Sequence, residues 1–271
     1  MGNEVSRAGY MALGSFAINF ATQTYGMVSS PNMKEVANAN HFAFSPNPWF
    51  IAAFFSGQTV LQAVWIRQIF ALKPGEYQRL TDNANKGANA NSDKSIEEQA
   101  AIKATLEYVP IFALGNLCIA GWLYAWLGEN FVTSQVLVTI NTFAHLYAVA
   151  RLPQLTVTSS RLMKLTHLVA KTIAGIGILD FVDNGGVAAR IRAPPSTLLQ
   201  AATYILFPAA AALSTPTFGW TLVYDLAALY VGQRFGAGPA ADSWGNRLGL
   251  TALAVGGIVG FNALNSGGRR V

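Results

Sequence analysis

The residues best suited to acid–base chemistry in this chain lie inside long apolar segments. Asp225 has apolar or aromatic neighbours, with Tyr224 before it and Leu226 after it. A protonated carboxyl group in a dry site can act as a general acid. The sequence therefore predicts that Asp225 is a catalytic acid buried among apolar segments, provided that its carboxyl group stays protonated.

Lys171, His145 and Asp180 are further candidates for this chemistry, either as acceptors of the final proton or as residues that orient Asp225. Lys171 and Asp180 are nine residues apart. Nine residues turn an α-helix through about 900°, so these two side chains point to opposite faces and cannot pair with each other. Asp225 is the better partner for Lys171. A tight ion pair between them would count against an acid that must stay protonated.

Polar side chains recur at similar depths in several apolar segments. Asn141 and His145, for example, are four residues apart and share one helix face. Polar groups are unfavourable in hydrocarbon, so those that persist tend to face the interior of a helix bundle. Their common depth predicts the wall of an internal polar cavity. The predicted substrate-binding residues are Asn19, Gln58, Gln62, Asn116, Asn141, Tyr147, Tyr224 and Trp220.

Purely structural roles remain open for these residues. Amides in membrane helices often only hydrogen-bond to a neighbouring helix, with contributions averaging about 0.6 kcal/mol. Lys171 can extend its side chain so that the ammonium group reaches the cytoplasmic surface. Asp180 and Asp183 are expected near the opposite interface, where they can simply mark the end of a membrane segment.

The composition indicates a polytopic membrane protein. Only 11% of the 271 residues are charged, against about 25% in soluble domains, and the mean hydropathy is +0.33. The net charge of +5 reflects scarce acids, and the basic residues do not cluster, so no nucleic-acid partner is predicted. Cys118 is the only cysteine and the three histidines are scattered, which predicts no disulfide framework and no metal centre. Phosphate-loop and haem-attachment motifs are missing, so no cofactor is predicted.

Eight apolar segments are long enough, at about 17 to 25 residues, to cross a bilayer as helices. Segment 198–214 is the weakest of them, because it is short and contains Pro208; a re-entrant segment there would leave seven spans. The predicted fold is an all-α membrane helix bundle in which residues 1–271 form a single transmembrane domain. The eight segments cover residues 8–30, 49–72, 105–128, 131–151, 164–183, 198–214, 217–235 and 247–265.

The basic residues predict the orientation of this bundle. With eight spans, 12 of the 18 Lys and Arg residues fall on the side that carries both termini, and five fall on the other side. Cytoplasmic loops hold the excess of Lys and Arg, so both termini are expected in the cytoplasm. Residues 73–103 are polar and rich in Asn and Ala, and we expect a flexible cytoplasmic loop followed by a short helix. The expected location is the endoplasmic reticulum or another endomembrane.

Residues 44–55, with the sequence FSPNPWFIAAFF, resemble a segment of a group of fungal multi-pass membrane proteins of unassigned role. The resemblance continues through Gln58, Gln62 and Trp65. Within this segment Pro46 and Pro48 predict an extended loop, and Pro48 pre-sets the backbone for the first turn of the next helix.

The chain also resembles, more loosely, the small integral-membrane terpene cyclases of fungal meroterpenoid pathways. Size, an all-helical architecture, many aromatic residues and isolated acids in apolar segments agree. The resemblance implies an enzyme of secondary metabolism that cyclises a prenylated substrate dissolved in the membrane. In this hypothesis Asp225 protonates an olefin or epoxide, aromatic faces stabilise the carbocation, and an apolar cavity excludes water.

Two other functions are compatible with the same residues. A small-molecule or proton-coupled transporter would use the polar layer as its binding site, and an accessory protein would use the amides only to join helices. A closed pocket that opens sideways to lipid would favour the cyclase, a water path to both faces the transporter, and no pocket the accessory role. The expected partners are membrane lipids and a hydrophobic small-molecule substrate.

Overall fold

The structure is a computed structural model that describes residues 2–72, 92–156, 158–234 and 239–265. The predicted all-α fold is confirmed, because these residues form nine α-helices and no strand. Residues 73–91 of the predicted loop lie outside the described residues, whereas residues 92–103 are helical and continue without a break into the apolar segment that follows. The helices are α1 (Gly2–Val28), α2 (Met33–Ala39), α3 (Pro48–Phe70), α4 (Ser92–Leu127), α5 (Phe131–Arg151), α6 (Arg161–Ala188), α7 (Thr197–Leu213), α8 (Pro216–Arg234) and α9 (Pro239–Asn265).

Helix α3 begins where the proline pattern predicts it. Pro48 occupies its first turn, where a missing backbone N–H group is no loss. The side chain of Asn47 caps the helix by accepting a hydrogen bond from the backbone N–H of Trp49. Ser160 caps α6 in the same way, accepting from the backbone N–H of Met163. These caps fix the starting points of the two helices that carry Gln58, Gln62, Lys171 and the acids of α6.

The long helices run up and down in turn, with α6 at the centre of the bundle in contact with α3, α4, α5 and α8. Tyr10 near the start of α1 packs edge-on against Phe70 at the end of α3. Likewise Ser134 near the start of α5 donates a hydrogen bond to Asn184 near the end of α6. We call the end that carries residues 2 and 265 the terminus end, and the end that carries residues 41–47 the loop end.

Apolar side chains cover the outside of the bundle and polar side chains lie within it. Leu213, Leu253 and Leu264 are 89%, 74% and 84% exposed, whereas Asp225 and Gln233 are completely buried. Soluble proteins bury charged and amide side chains far less often than apolar ones. This distribution is the one that a hydrocarbon solvent favours, and it makes the chain a membrane-embedded helix bundle.

The described residues contain four helices that are long and apolar enough to cross a membrane, not eight. These are Pro48–Phe70, Glu97–Leu127, Arg161–Ala188 and Ala240–Asn265. The other four predicted segments are helical too, but α7 is only 17 residues long and polar groups lower the apolar character of the rest. Asn19 and Gln23 are polar residues within the continuous helix α1, and Asp225 is an acidic residue within α8. The eight-span prediction therefore lacks support from helix length and composition.

Candidate functional site

A small cavity of about 30 Å³ lies in the middle of the bundle, where five helices meet. This volume accommodates water molecules but not a large ligand. Several of the side chains predicted to face an internal cavity, contributed by α1, α3, α4 and α5, line it. Its polar lining comprises Asn19, Gln62, Asn116, Asn141, His145 and Asp180, and its apolar lining includes Phe55, Phe112, Ile119, Ile173 and Ile176.

Gly115 allows α5 to approach α4 closely enough to present two of these polar groups. A Cβ atom at Gly115 would lie 2.7 Å from Oδ1 of Asn141 and closer still to Nε2 of His145. Neither distance is tolerable for non-bonded atoms, so any larger residue would displace both side chains. The absence of a side chain at Gly115 is therefore what brings Asn141 and His145 to the cavity.

Amide groups on the cavity wall have hydrogen-bonding capacity that the protein does not use. Nδ2 of Asn19 donates to Oδ1 of Asn116 at 2.8 Å. Nδ2 of Asn116 and Oδ1 of Asn141 are buried, yet neither has a partner among the described residues. A buried polar atom without a partner is unfavourable by about 1–3 kcal/mol. One donor and one acceptor are thus available to water or to a small polar ligand in the cavity.

His145 is held in place by Tyr108 of α4. The hydroxyl group of Tyr108 lies 3.2 Å from Nδ1 of His145, and the two side chains are 2% and 1% exposed. This contact fixes the orientation of the imidazole ring, and Nε2 is then the ring nitrogen that faces Gly115. The predicted candidate His145 therefore contributes to the cavity wall as a rigid group.

Asp180 lines the cavity, which corrects its expected position at the membrane interface. Asp183 follows Asp180 by three residues on the same face of α6, and Asp225 is buried on the neighbouring α8. We refer to these three residues as the acid cluster. Oδ1 of Asp183 accepts a hydrogen bond from the hydroxyl group of Ser45 at 3.1 Å. The acid cluster therefore reaches from the cavity to the loop end of the bundle.

Asp225 and Lys171 are buried but do not pair with each other. Lys171 is only 4% exposed, so its ammonium group does not reach the surface as the alternative interpretation required. Neither carboxyl oxygen of Asp225 has a hydrogen-bond partner in the described part of the chain. Within the described residues an ion pair joins Lys103 and Glu107 at 3.9 Å, and neither belongs to the acid cluster. The acid cluster therefore has no basic side chain paired with it in these residues.

The remaining predicted site residues lie outside the cavity. Nε2 of Gln58 donates to the hydroxyl group of Thr172 at 2.6 Å, which joins α3 to α6. The hydroxyl group of Tyr224 donates to the backbone carbonyl of Phe50 at 2.7 Å. Tyr147 and Trp220 are 58% and 51% exposed on the outside of the bundle, so the interpretation of these two as cavity-lining residues is wrong. Tyr147 lies beneath the guanidinium group of Arg151 instead.

Residues 41–47, which we call the closing loop, are bound to three helices at the loop end. The side-chain amide of Gln233 donates to the carbonyl oxygens of Phe42 and Ser45, at 2.7 and 3.1 Å. The indole N–H of Trp244 donates to the carbonyl of Ala43 at 2.6 Å. Trp244 is fully buried and so does not belong to an interfacial belt of aromatic residues. These contacts hold the closing loop over the end of the acid cluster.

His41 at the start of the closing loop also faces Gln233, with 3.4 Å between the amide nitrogen and Nε2 of the ring. An amide N–H group can donate only to a ring nitrogen that carries no proton. Burial lowers the pKa of His41 below its usual value of 6.5, because desolvation disfavours the charged imidazolium. The neutral imidazole ring of His41 is therefore the form that accepts this hydrogen bond from Gln233 and keeps the closing loop bound to α8.

Sequence patterns did not single out Asn184, Gln233 or Ser45. Asn184 is 3% exposed and accepts hydrogen bonds from the indole N–H of Trp122 and the hydroxyl of Ser134, at 2.8 and 2.6 Å. It also donates to the backbone carbonyl of Asp180. The sequence offered one indication for Asn184, its position directly after Asp183, and a polar pair of this kind predicts only the end of an apolar segment. Its role depends on contacts from two other helices.

No group of three or more His, Cys, Asp or Glu residues in the described ranges could hold a metal ion. The acid cluster supplies three carboxyl groups, but they do not converge on one point. The chemistry available here is proton binding by carboxyl groups, together with hydrogen bonding by amides and an imidazole. In comparisons with known proteins, the chain matches no family model, no curated protein and no solved structure.

Proposed function

We propose that this protein is a proton-coupled membrane carrier for a small polar solute. The observation that carries the proposal is the position of Asp180, together with amide side chains, on the wall of a small cavity inside a membrane-embedded bundle. Ionisable residues inside membrane bundles commonly serve proton or ion pathways. Asp180 would bind a proton from the cavity, and the free amide groups of Asn116 and Asn141 would hydrogen-bond to the solute or its water.

The composition of the acid cluster supports proton coupling. Its carboxyl groups lie on two helices that pack against each other, and no basic side chain pairs with them in the described residues. Carboxylates that repel each other in a dry interior gain from binding a proton. Proton binding and release would therefore change the charge at the cavity wall, and with it the interaction with the solute.

The closing loop supplies a means of separating the cavity from the loop end. It contacts Asp183 through Ser45 and is fastened by Gln233 and Trp244. A carrier needs its site open to one side of the membrane at a time, which requires a barrier on the other side. In this proposal the closing loop is that barrier, and the structure represents the state in which it closes the loop end of the bundle.

The size of the cavity that Asp180 lines favours the carrier over the cyclase expected from the sequence, and the larger groove between α7 and α9 that opens to lipid is lined by no acidic residue. Pockets for drug-sized ligands have volumes of about 300–1,000 Å³, and a prenylated substrate needs a comparable space. The cavity of about 30 Å³ is far smaller, and Asp225 does not line it. An accessory role is less well supported, since structural amides do not need unpaired groups facing a cavity.

We also propose that all eight long helices cross the membrane with both termini in the cytoplasm. Their alternating direction and their side-by-side packing support this arrangement, as does the excess of Lys and Arg at the terminus end. The test is labelling of single cysteines by a membrane-impermeant maleimide in a Cys118→Ala background. Glu129→Cys between α4 and α5 should react only from the non-cytoplasmic side, and Thr158→Cys only from the cytoplasmic side. Reaction of both from one side would contradict this topology.

Proton flux in reconstituted vesicles tests the carrier directly. Purified protein is placed in liposomes that contain the pH-sensitive dye pyranine, with valinomycin and potassium present to prevent a membrane potential. After an external acid pulse, we expect the interior to acidify at least about tenfold faster than in protein-free liposomes. Asp180→Asn should remove this increase, because an amide cannot bind and release a proton at neutral pH.

Asp242→Asn is the matched control, since Asp242 is an exposed acid in the first turn of α9. This variant should retain the wild-type rate. Equal rates in wild-type and protein-free liposomes would refute the carrier, and so would full activity of Asp180→Asn. Conversion of farnesylated phenols or their terminal epoxides to cyclic products by the same vesicles would favour the cyclase instead.

A further inference from the structure

A second and larger pocket lies far from the acid cluster, between α7 and α9. It is a groove of about 460 Å³ that opens to the outside of the bundle. Its lining consists of Tyr204, Pro208, Arg247, Leu250, Thr251 and Ala254. The volume falls within the range of about 300–1,000 Å³ typical of ligand pockets. An open groove on the outer surface of a membrane-embedded bundle faces lipid.

The polarity of the groove changes along its length. Arg247 and Tyr204 lie towards the loop end, because α9 and α7 both begin there. Pro208 and Ala254 lie further along, and Arg247 and Ala254 are about 10 Å apart along α9 at 1.5 Å per residue. The side chains of Arg247, Thr251 and Ala254 share one face of α9, since they are spaced by four and three residues. The groove is therefore polar at its loop end and apolar towards the middle of the membrane.

Arg247 has hydrogen-bonding capacity left over for a ligand. Its Nη1 donates to Oε1 of Gln200, and the guanidinium group has five N–H donors in all. Its exposed position at the mouth of the groove makes the other donors accessible to an anion. A planar guanidinium group suits phosphate oxygens well, because it can donate two parallel hydrogen bonds.

Pro208 adds a second feature to the groove. Proline has no backbone N–H group, so the carbonyl of Tyr204 four residues earlier lacks its usual helical partner. The proline ring adds apolar surface to the α7 side of the groove, and Leu250 adds apolar surface from α9.

We propose that this groove binds one phospholipid from the leaflet at the loop end, with its phosphate on Arg247 and an acyl chain along Pro208, Leu250 and Ala254. The charge of the arginine and the direction of the polarity gradient both match such a molecule. The lipid is distinct from the solute of the proposed carrier, and the site would exist even if the protein carried nothing. The bound phospholipid would be a specific ligand of the lipid-facing groove between α7 and α9.

Photo-crosslinking tests this site on the full-length protein in nanodiscs. The nanodiscs contain a small fraction of phosphatidylglycerol that carries a diazirine in one acyl chain, and crosslinked peptides are identified by mass spectrometry. We expect crosslinks to concentrate at residues 204–208 and 250–254. Arg247→Gln should reduce them by about tenfold, the effect of losing about 1.4 kcal/mol of binding. Excess inorganic phosphate should not compete, because the acyl chain contributes to binding.

Two further variants distinguish the contribution of the acyl chain to binding from that of the phosphate head group. Ala254→Phe fills the apolar end and should also reduce crosslinking while Arg247 is intact. Arg234→Gln is the control, since Arg234 lies at the same end of the bundle and also binds an amide, that of Asn246; it should leave crosslinking unchanged. Equal crosslinking in Arg247→Gln and wild type, with unchanged thermal melting, would overturn the proposal. So would crosslinks spread evenly over the exposed apolar residues of α1 and α5.

Discussion

Gly232 of α8 offers the sharpest test of how the closing loop is held. A Cβ atom at this position would lie 2.6 Å from the carbonyl carbon of Pro46 and 2.7 Å from the backbone nitrogen of Asn47, and closer still to the carbonyl oxygen of Ser45. All three are backbone atoms, which cannot move aside as a flexible side chain can. Gly232→Ala must therefore push the closing loop away from α8.

The expected loss of stability follows from these contacts. Overpacking of this kind typically destabilises by 1–3 kcal/mol. Displacement of the loop also weakens the hydrogen bond from Gln233 to the carbonyl of Ser45 and the one from the backbone N–H of Asn47 to the carbonyl of Ala228, at about 1 kcal/mol each. Alanine regains about 1 kcal/mol of helix propensity over glycine. The free energy of unfolding should fall by about 3 kcal/mol.

The melting temperature of purified protein in detergent measures this effect. At about 2–4 °C per kcal/mol for a chain of this size, Gly232→Ala should melt roughly 6–12 °C below wild type. Gly57→Ala in α3 is the matched control, because no heavy atom lies within 4 Å of a Cβ atom there; it should melt at or slightly above the wild-type temperature. A Gly232→Ala protein as stable as Gly57→Ala would refute the close packing of the loop against α8.

Three further predictions concern the cavity and its surroundings. Gly115→Ala should displace His145 from the cavity wall and abolish proton flux in vesicles, while flux at the wild-type rate would contradict the proposed cavity. Asn184→Ala leaves the half-buried indole of Trp122 and the buried hydroxyl of Ser134 without this acceptor and should lower the free energy of unfolding by about 3 kcal/mol, read from thermal melting; a change below about 1 kcal/mol would count against these contacts. Acidification should loosen the closing loop, because the pKa of His41 is lower in the folded protein than the unfolded value of 6.5. The stabilisation is present above pH 6.5 and is lost as the pH falls through the folded pKa. Hydrogen exchange of the loop backbone should rise accordingly, and His41→Gln should remove that pH dependence, whereas an unchanged dependence would assign it to another group.

The sequence predicted the membrane-embedded helical fold and several residues of the cavity wall, because the depth of a residue can be counted along an apolar segment from the end of that segment. Asp180 was misplaced for a simple reason. The sixth helix runs to Ala188, five residues beyond the predicted end of that segment at residue 183, so Asp180 lies deeper than expected. Residue depth is only as accurate as the segment boundary from which it is counted.

The direction in which a side chain points proved harder to predict than its depth. Tyr147 follows His145 by two residues, or about 200° around the helix, so the inward position of His145 places Tyr147 on the outside. The separation of Lys171 from Asp225 depends instead on how α6 and α8 are rotated against each other, which no single segment encodes. The hydrogen bonds of Gln233 to the closing loop have the same origin, since they join residues about 190 positions apart.

In the proposed carrier Asp180 takes up and releases a proton within the cavity, and infrared difference spectroscopy detects this change in protonation. Spectra of the reconstituted protein are recorded as the pH is stepped between alkaline and acidic values, and the carboxyl C=O band reports protonated carboxylic acids. We expect a band from a buried carboxyl group that grows on acidification, persists in Asp242→Asn and disappears in Asp180→Asn. A band that survives unchanged in Asp180→Asn would show that the titrating carboxyl group is another residue and would contradict the account.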